Sequence, residues 1–321
     1  TLAMSILPEE IPVAFTTFMA LGAWRLMKMG IVVKQMKTVE ALGSATVICV
    51  DKTGTITQNK MSLVKLFTMA SGEISSVDQD MNENEKELVR LAMWASEPIP
   101  FDPMETALHE AYMQLGSFDE RPNYMMVHEY PLSGKPPMMT HIFENNQGQR
   151  IIAAKGAPEA FFEISNLTPK EKVQIVDAIA TLGKDGYRLL GVGLADFKGT
   201  DYPEHQQDFQ FAFKGIVAFY DPPKENIDSV LQDFDSAGIN VKLVTGDYAA
   251  TATAIAKQIG FKGYEKCMSG DELMLLSDSE LQKKVQDTQV FTRMFPDAKL
   301  RIVTAIKANK EVVAMIGDGV N

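Results

Sequence analysis

Asp51-Lys52-Thr53-Gly54-Thr55-Ile56-Thr57 follows directly on the apolar run Ala45-Thr46-Val47-Ile48-Cys49-Val50. The run is short, rich in β-branched residues and free of polar alternation, which predicts a central strand of a parallel sheet covered on both faces. Asp51 then stands at the strand's carboxyl end, where open α/β sheets bind ligands because loops from several strands meet there. A carboxylate so placed, followed by Gly54 in a turn and by the hydroxyls of Thr53, Thr55 and Thr57, can serve as a metal ligand, a general base or a nucleophile. One Asp alone would equally well satisfy turn backbone, so the rest of the chain has to decide.

Downstream, the α/β rhythm is interrupted and then resumes. From residue 61 to 219 the chain carries polar segments, an acidic helical stretch over 84–95, and strand candidates at Ile151-Ile152-Ala153-Ala154 and Leu189-Leu190-Gly191-Val192-Gly193. This reads as an α+β insertion. From Asp221-Pro222-Pro223-Lys224 onward come a helix over 225–236, a strand Val241-Lys242-Leu243-Val244, then Thr245-Gly246-Asp247. A helix follows with Ala252, Ile255, Ala256 and Ile259 on one face, ending at Gly260. Strand Val290-Phe291, a helix over 297–308, strand Val312-Val313-Ala314-Met315-Ile316 and finally Gly317-Asp318-Gly319-Val320-Asn321 complete the chain. Three predicted strands therefore end in a carboxylate: Asp51, Asp247 and Asp318.

Upstream, residues 2–24 carry no basic side chain and are long enough to cross a bilayer at about 1.5 Å per residue. Arg25, Lys28 and Lys34 follow, which puts that side in the cytoplasm if the stretch is a span. Pro8 and Pro12 bracket Glu9 and Glu10. In a membrane, unwound backbone beside a carboxylate is tolerated where it lines a polar cavity, typically a cation site. A buried helix kinked at two acidic residues is the alternative. Because the chain starts inside this apolar run, we expect it to be a piece of something longer.

Composition narrows the field. The 321 residues, 45% hydrophobic and 23% charged, suffice for two domains. A net charge of −11 excludes a nucleic-acid surface. Cys49 and Cys267 are far apart, one of them in the predicted strand, so no disulfide framework is expected. The 19 Met residues are scattered, as core filling is.

Parallel strands joined by crossover helices bring their carboxyl ends to one edge, so Asp51, Asp247 and Asp318 can converge. Carboxylates without a neutralising charge repel one another, which argues for bound Mg²⁺ on oxygen ligands, with Asp51, Thr53 and Asp318 as its holders. Lys299, one turn into its helix, supplies the positive charge that a transferring phosphoryl group needs. The reaction class is phosphoryl transfer to an aspartate. Asp51 attacks, Lys299 neutralises, and Thr53, Thr245, Gly246 and neighbouring backbone bind the rest.

Asp51-Lys52-Thr53-Gly54-Thr55-Ile56-Thr57, Lys155-Gly156-Ala157-Pro158-Glu159, Asp221-Pro222-Pro223-Lys224, Thr245-Gly246-Asp247 and Gly317-Asp318-Gly319-Val320-Asn321 resemble the ordered motifs of P-type cation-transporting ATPases. The resemblance spans essentially the whole chain and lies nearest the calcium-pump branch. It implies a haloacid-dehalogenase-like phosphorylation domain, a doubly wound parallel sheet, split by an inserted α+β nucleotide-binding domain. Residues 1–24 become part of the fourth membrane helix, 25–60 and 220–321 the phosphorylation domain, and 61–219 the insertion. Catalytic roles fall to Asp51, Lys52, Thr53, Thr245, Gly246, Asp247, Lys299, Asp318 and Asn321. Glu9 becomes the ligand of the transported cation, with Ca²⁺ favoured. ATP with Mg²⁺ is bound through Asp102, Glu105, Lys155, Gly156, Arg188 and Asp221. Further implied are contact with membrane lipid, partnership with the actuator domain and other membrane helices of the same pump, and a cell-membrane location with residues 25–321 in the cytoplasm. The crossings at Asn59-Lys60 and Asp221-Pro222-Pro223 form a hinge whose freedom the Pro pair limits.

One departure stands out. Where the family stacks an aromatic ring on adenine and continues with Ser, Arg and Lys, this chain has Leu132-Ser133-Gly134-Lys135-Pro136-Pro137. Weaker or differently posed ATP binding is expected, with Tyr130, two residues earlier on the same face of a strand, the candidate substitute for the ring and Lys135 for the charge. Two other functions stay open: a soluble haloacid-dehalogenase-like phosphatase, and a nucleotide-binding module without turnover. The phosphatases usually carry a second Asp two residues after the nucleophile, where Thr53 stands here.

Overall fold

The computed structural model describes residues 10–317 apart from 78, 79, 117, 118 and 200. Glu9, Asp318 and Asn321 therefore lie outside the described residues, as do Pro8 and the first part of the predicted membrane stretch.

The chain opens with helix α1 (Glu10–Lys28) and the short helix α2 (Lys37–Gly43). Along α1 the large apolar side chains are turned outward, with Phe18 72% and Ile11 64% exposed. No helix among the described residues is long and apolar enough to cross a membrane. The apolar part of α1 before Arg25 spans only about 22 Å at ~1.5 Å per residue, short of a hydrocarbon core of about 30 Å. The described part of the 2–24 stretch is thus not a complete span, and its outward apolar face has no partner among the described residues.

Strand β1 (Val47–Asp51) has every residue buried. Its alternation sends Val47 and Cys49 to one face of the sheet and Ile48 and Val50 to the other. The absence of polar alternation that marked this run is the signature of a strand covered on both sides, and the structure covers it.

After β1 the chain leaves the parallel sheet and builds an antiparallel one. Its elements are β2 (Ser62–Thr68), β3 (Glu73–Ser76), α3 (Glu83–Trp94), α4 (Pro103–Gln114), β4 (Tyr124–Ser133), β5 (Met138–Asn145), β6 (Arg150–Gly156), α5 (Pro169–Lys184), β7 (Arg188–Ala195) and β8 (Phe211–Tyr220). The strand order is β3-β2-β8-β7-β6-β5-β4. Helices α3 and α4 cover one face through Leu88, Leu91, Trp94 and Leu108, while α5 covers the other through Ile175 and Leu182. Capping boxes, Asn82 with Glu85 and Thr168 with Glu171, start α3 and α5 by satisfying backbone N–H groups that would otherwise lack acceptors.

The chain then returns through α6 (Ile227–Ser236), β9 (Asn240–Val244), α7 (Ala249–Gln258), β10 (Cys267–Ser269), α8 (Gly270–Leu275), α9 (Asp278–Asp287), β11 (Val290–Thr292), α10 (Pro296–Ala308) and β12 (Val313–Ile316). The parallel sheet has the order β10-β11-β9-β1-β12. β1 lies at the switch point, with β9 on one side and β12 on the other, where crossovers diverge and leave a crevice. The fold is that of a haloacid-dehalogenase-like α/β sheet interrupted by a mixed α/β insertion. Within the insertion the sequence reading marked only α3, β6 and β7 explicitly and placed Tyr130 on a strand, so β2, β3, α4, β5, α5 and β8 are added by the structure, as are α2, β10, α8 and α9 outside it.

The crossings between the sheets are stitched rather than merely stiffened. Asp221 is buried and accepts from Thr57 Oγ1 at 2.5 Å and from the Lys60 N–H at 3.1 Å. Gln58 N–H donates to the Pro222 carbonyl and Lys224 N–H to that of Ile56, each at 2.9 Å. The expected hinge is held by this ladder, so its stiffness does not come from the Pro pair alone.

One core residue is out of character. Lys242 of β9 is 2% exposed, and its Nζ donates to the Thr288 carbonyl at 2.7 Å. Burial pushes its pKa down from 10.5 to about 8, against a weaker pull from Cys49 opposite it on β1. Burial pushes the Cys49 thiol up to about 11. A depressed lysine destabilises the fold wherever it must be charged in the native state: fully below pH 8, and decreasingly up to pH 10.5, where the unfolded chain still binds the extra proton. Lys242→Met is expected to raise the stability measured by urea unfolding at pH 7 by about 3 kcal/mol. The gap between variant and wild type should close between pH 8 and 10.5.

Candidate active site

Asp51 ends β1 and is 4% exposed. The next residues turn sharply: Thr53 is extended, Gly54 has φ 72°, and Thr57 N–H closes the turn on the Lys52 carbonyl at 3.1 Å. A left-handed φ at Gly54 costs a side-chain-bearing residue energy, which is why Gly stands there. The tight turn leaves the carboxylate pointing past the end of the sheet. One of its oxygens accepts the Lys52 backbone N–H at 2.7 Å, and the other accepts Lys299 Nζ at 2.8 Å. Lys299 reaches it from the first turn of α10.

Register places the other strand ends alongside. Asp51 is level with Val244, so Thr245-Gly246-Asp247 continue beside it. Val50 is level with Ile316, and a Cβ at Gly317 would lie 3.8 Å from that of Asp51. Thr245 Oγ1 accepts the Asp247 N–H at 3.2 Å and holds that turn.

The carboxylates are not left to repel one another. Lys52, 2% exposed, brings its Nζ to 2.7 Å from Asp247 Oδ2, while Lys299 pairs with Asp51. Burial works to raise the Asp247 pKa, but the charges of Lys52 and Arg188 and hydrogen bonds from Lys52 and Thr245 outweigh it and hold the carboxyl below its ordinary range. The expectation of an unneutralised cluster is thereby corrected, because two lysines supply the charge in the protein itself. Mg²⁺ has a weaker claim as a purely structural counter-ion. The residues still suit it, since Asp51 and Thr53 offer hard oxygen donors facing one cleft. Asp318, expected to share that role, lies outside the described residues, and so does Asn321.

That cleft, of about 500 Å³, lies between the two sheets. Asp51, Thr53, Thr245, Gly246, Asp247 and Lys299 line one wall, and Asp102, Met104 and Arg188 the other. Asp102 also caps α4 by accepting the Met104 N–H at 2.8 Å.

The remaining expected nucleotide residues are placed elsewhere. Lys155 and Glu105, both nearly buried, form a pair at 2.5 Å, and Lys155 Nζ also donates to Ser96 Oγ at 2.8 Å. Burial lowers the Lys155 pKa, and Glu105 opposes it. Gly156 allows close strand packing, since a Cβ there would lie 2.5 Å from the Pro137 carbonyl oxygen. Asp221 is committed to the crossing described above.

Tyr130 does not share a face with Leu132. Its ring packs against Phe209 in the core under α5, and its hydroxyl donates to the Pro203 carbonyl at 2.5 Å. Leu132 is 65% exposed. The pairing register of β4 shifts between Tyr130 and Ser133, and such an irregularity breaks the two-residue alternation on which the expectation rested. Lys135 lies in the exposed turn that follows. Neither Tyr130, Leu132 nor Lys135 reaches the cleft.

Two features went unread in the sequence. Lys52 was grouped with Asp51 by motif, but its partner Asp247 is set by the sheet. Tyr248 donates to Glu159 at 2.5 Å and lies under the Arg293 guanidinium at 3.6 Å, which clasps the loop after β6 to the loop after β9. Burial and Glu159 push the Tyr248 pKa well up.

Residues 45–321 match the haloacid dehalogenase-like hydrolase family, and the chain belongs to it. Along its whole length it is also similar to the calcium-transporting ATPase of Bacillus subtilis, 30% identical, the probable cation-transporting ATPase F of Mycobacterium tuberculosis, 32% identical, and calcium-transporting ATPase 1 of Saccharomyces cerevisiae, 30% identical. It spans 38% to 41% of the length of these relatives.

Removing one member of a buried ion pair leaves the other charge uncompensated. Lys52→Met is expected to destabilise the chain by about 3–5 kcal/mol in urea unfolding, and adding Asp247→Asn should return part of that loss. Lys299→Met should cost less, because its pair is more open to water and the Asp51 carboxylate keeps its backbone donor.

Proposed function

We propose that this chain is the central catalytic segment of an ATP-driven cation pump, in which Asp51 takes the terminal phosphoryl group of ATP. The observation that carries the reading is the position of Asp51 at a strand end, paired with Lys299, in a cleft shared by both sheets. The antiparallel sheet is the side that presents the nucleotide, with Arg188 and Asp102 nearest the acceptor.

In the transfer, an Asp51 carboxylate oxygen bonds to the γ-phosphorus. The bond from that phosphorus to the bridging oxygen breaks, and ADP leaves with the electron pair. An acyl phosphate forms without a proton changing hands. Lys299, paired with Asp51 beforehand, is positioned to neutralise the equatorial oxygens as negative charge shifts on to them. Thr245, Gly246 and Thr53 supply hydrogen-bond donors around the group. Asp51, Thr53 and Asp318 are the residues that would hold Mg²⁺, which when bound supplies charge neutralisation to the phosphoryl group. With Thr53 in place of a carboxylic acid two residues after Asp51, no acid from that position protonates a leaving group or activates water. This favours a phosphoenzyme that persists over rapid hydrolysis.

In the intact pump, Glu9 ligates the transported cation, with Ca²⁺ the preferred ion in view of the relatives' names. The outward apolar face of α1 meets lipid or other membrane helices, and the remaining domains complete the cycle. Phosphorylation of Asp51 and cation binding near Glu9 must then influence each other reciprocally.

Incubation of the intact protein with γ-labelled ATP across Ca²⁺, Mn²⁺, Na⁺ and K⁺ tests the reading. Acid-stable, hydroxylamine-sensitive label is expected with one cation only, and it should vanish in both Asp51→Asn and Glu9→Gln. Full labelling of Asp51→Asn would refute the assignment of the nucleophile.

A further inference from the structure

His141 lies on β5, facing the side of the antiparallel sheet that α3 and α4 cover, and is 0% exposed. Its Nδ1 is 2.9 Å from the Ser96 carbonyl oxygen. A carbonyl can only accept, so Nδ1 carries the proton and Nε2 presents a lone pair. That Nε2 is buried with no hydrogen-bond partner. It faces the carboxylate of Glu97, whose Oε1 is 3.8 Å away, too far for a hydrogen bond. Glu129, directly opposite His141 in the pairing of β4 with β5, brings a second carboxylate. One donor atom from each of the three residues lies within 4.8 Å of the other two.

A buried imidazole nitrogen without a donor is costly, and two carboxylates beside it cannot supply a proton while ionised. Lys155 is the nearby cation, but it is engaged by Glu105 and Ser96. We propose that Glu97, Glu129 and His141 form a binding site for a divalent first-row transition-metal ion, with Zn²⁺ the best match, separate from the Asp51 cleft. One imidazole and two carboxylates, with the exposed side of Glu129 open to a water ligand, is a donor set that suits Zn²⁺; Mg²⁺ and Ca²⁺ prefer oxygen alone. The Ser96 carbonyl is the outer partner that fixes ring orientation at metal-bound histidines. Both carboxylates reach solvent, so they can close on an ion by changing rotamer. Burial holds the imidazole below its ordinary pKa, which keeps the lone pair available. Ser96 joins this site to Lys155, whose Nζ donates to its hydroxyl.

The test is titration of the metal-free 321-residue chain with Zn²⁺ against a chromophoric chelator, and with Co²⁺ followed by visible absorption. One saturable Zn²⁺ site is expected, unaffected by millimolar Mg²⁺, together with a Co²⁺ d–d band. Glu129→Gln and Glu97→Gln, both at positions that reach solvent, should each weaken Zn²⁺ binding by at least about tenfold. His141→Gln should abolish the Co²⁺ band. If His141→Gln does not fold, the two glutamate variants decide alone. Absence of saturable Zn²⁺ binding, or binding that the glutamate variants leave unchanged, overturns the assignment.

Discussion

A carboxylate buried at the end of a parallel strand needs a counter-charge, and in this protein much else is arranged around supplying it. Asp51 is held by Lys299 from α10 and Asp247 by Lys52 from the turn after β1. The two pairs bind the ends of β1 and β9 and the start of α10 into one edge. Because each ammonium is matched to a carboxylate in a poorly solvated setting, loss of either partner costs far more than loss of a surface pair. The same pairing holds the Asp51 carboxylate in place beside the Lys299 ammonium.

The second constraint is the double crossing between the sheets. A long insertion after β1 could have left two independent bodies on a loose tether. Instead Asp221 accepts from both Thr57 and Lys60, and backbone hydrogen bonds tie residues 56–58 to 222–224. Farther out, the Glu159, Tyr248 and Arg293 clasp adds a contact made of side chains alone. A backbone ladder near the axis with side-chain contacts at the rim allows one sheet to turn on the other while the axis persists.

The antiparallel sheet divides its polar residues by face. On the α3 and α4 side lie Lys155, Glu105, Ser96 and His141, satisfied by one another except at His141 Nε2 and one oxygen of Glu105. On the α5 side Tyr130 joins an aromatic core with Phe209. The turn at 132–137 projects Leu132 to solvent.

The sequence by itself determined the strand ending in Asp51, the α/β rhythm that resumes after residue 220, the amphipathic helix that ends at Gly260, and the functional family. These are properties of short windows: a β-branched run, a 3.6-residue period, a Gly where a turn needs positive φ. Tertiary structure alone decided which charges meet. Lys52 and Asp247 lie far apart in the chain, and their pairing depends on β1 and β9 being neighbours in register. Tyr130 was misassigned because a register shift in β4 cancels the alternation that its spacing implies. Lys242 and His141 look like ordinary strand residues until the helices that bury them are in place. Burial and counter-charge are relations between distant residues, and no local pattern encodes them.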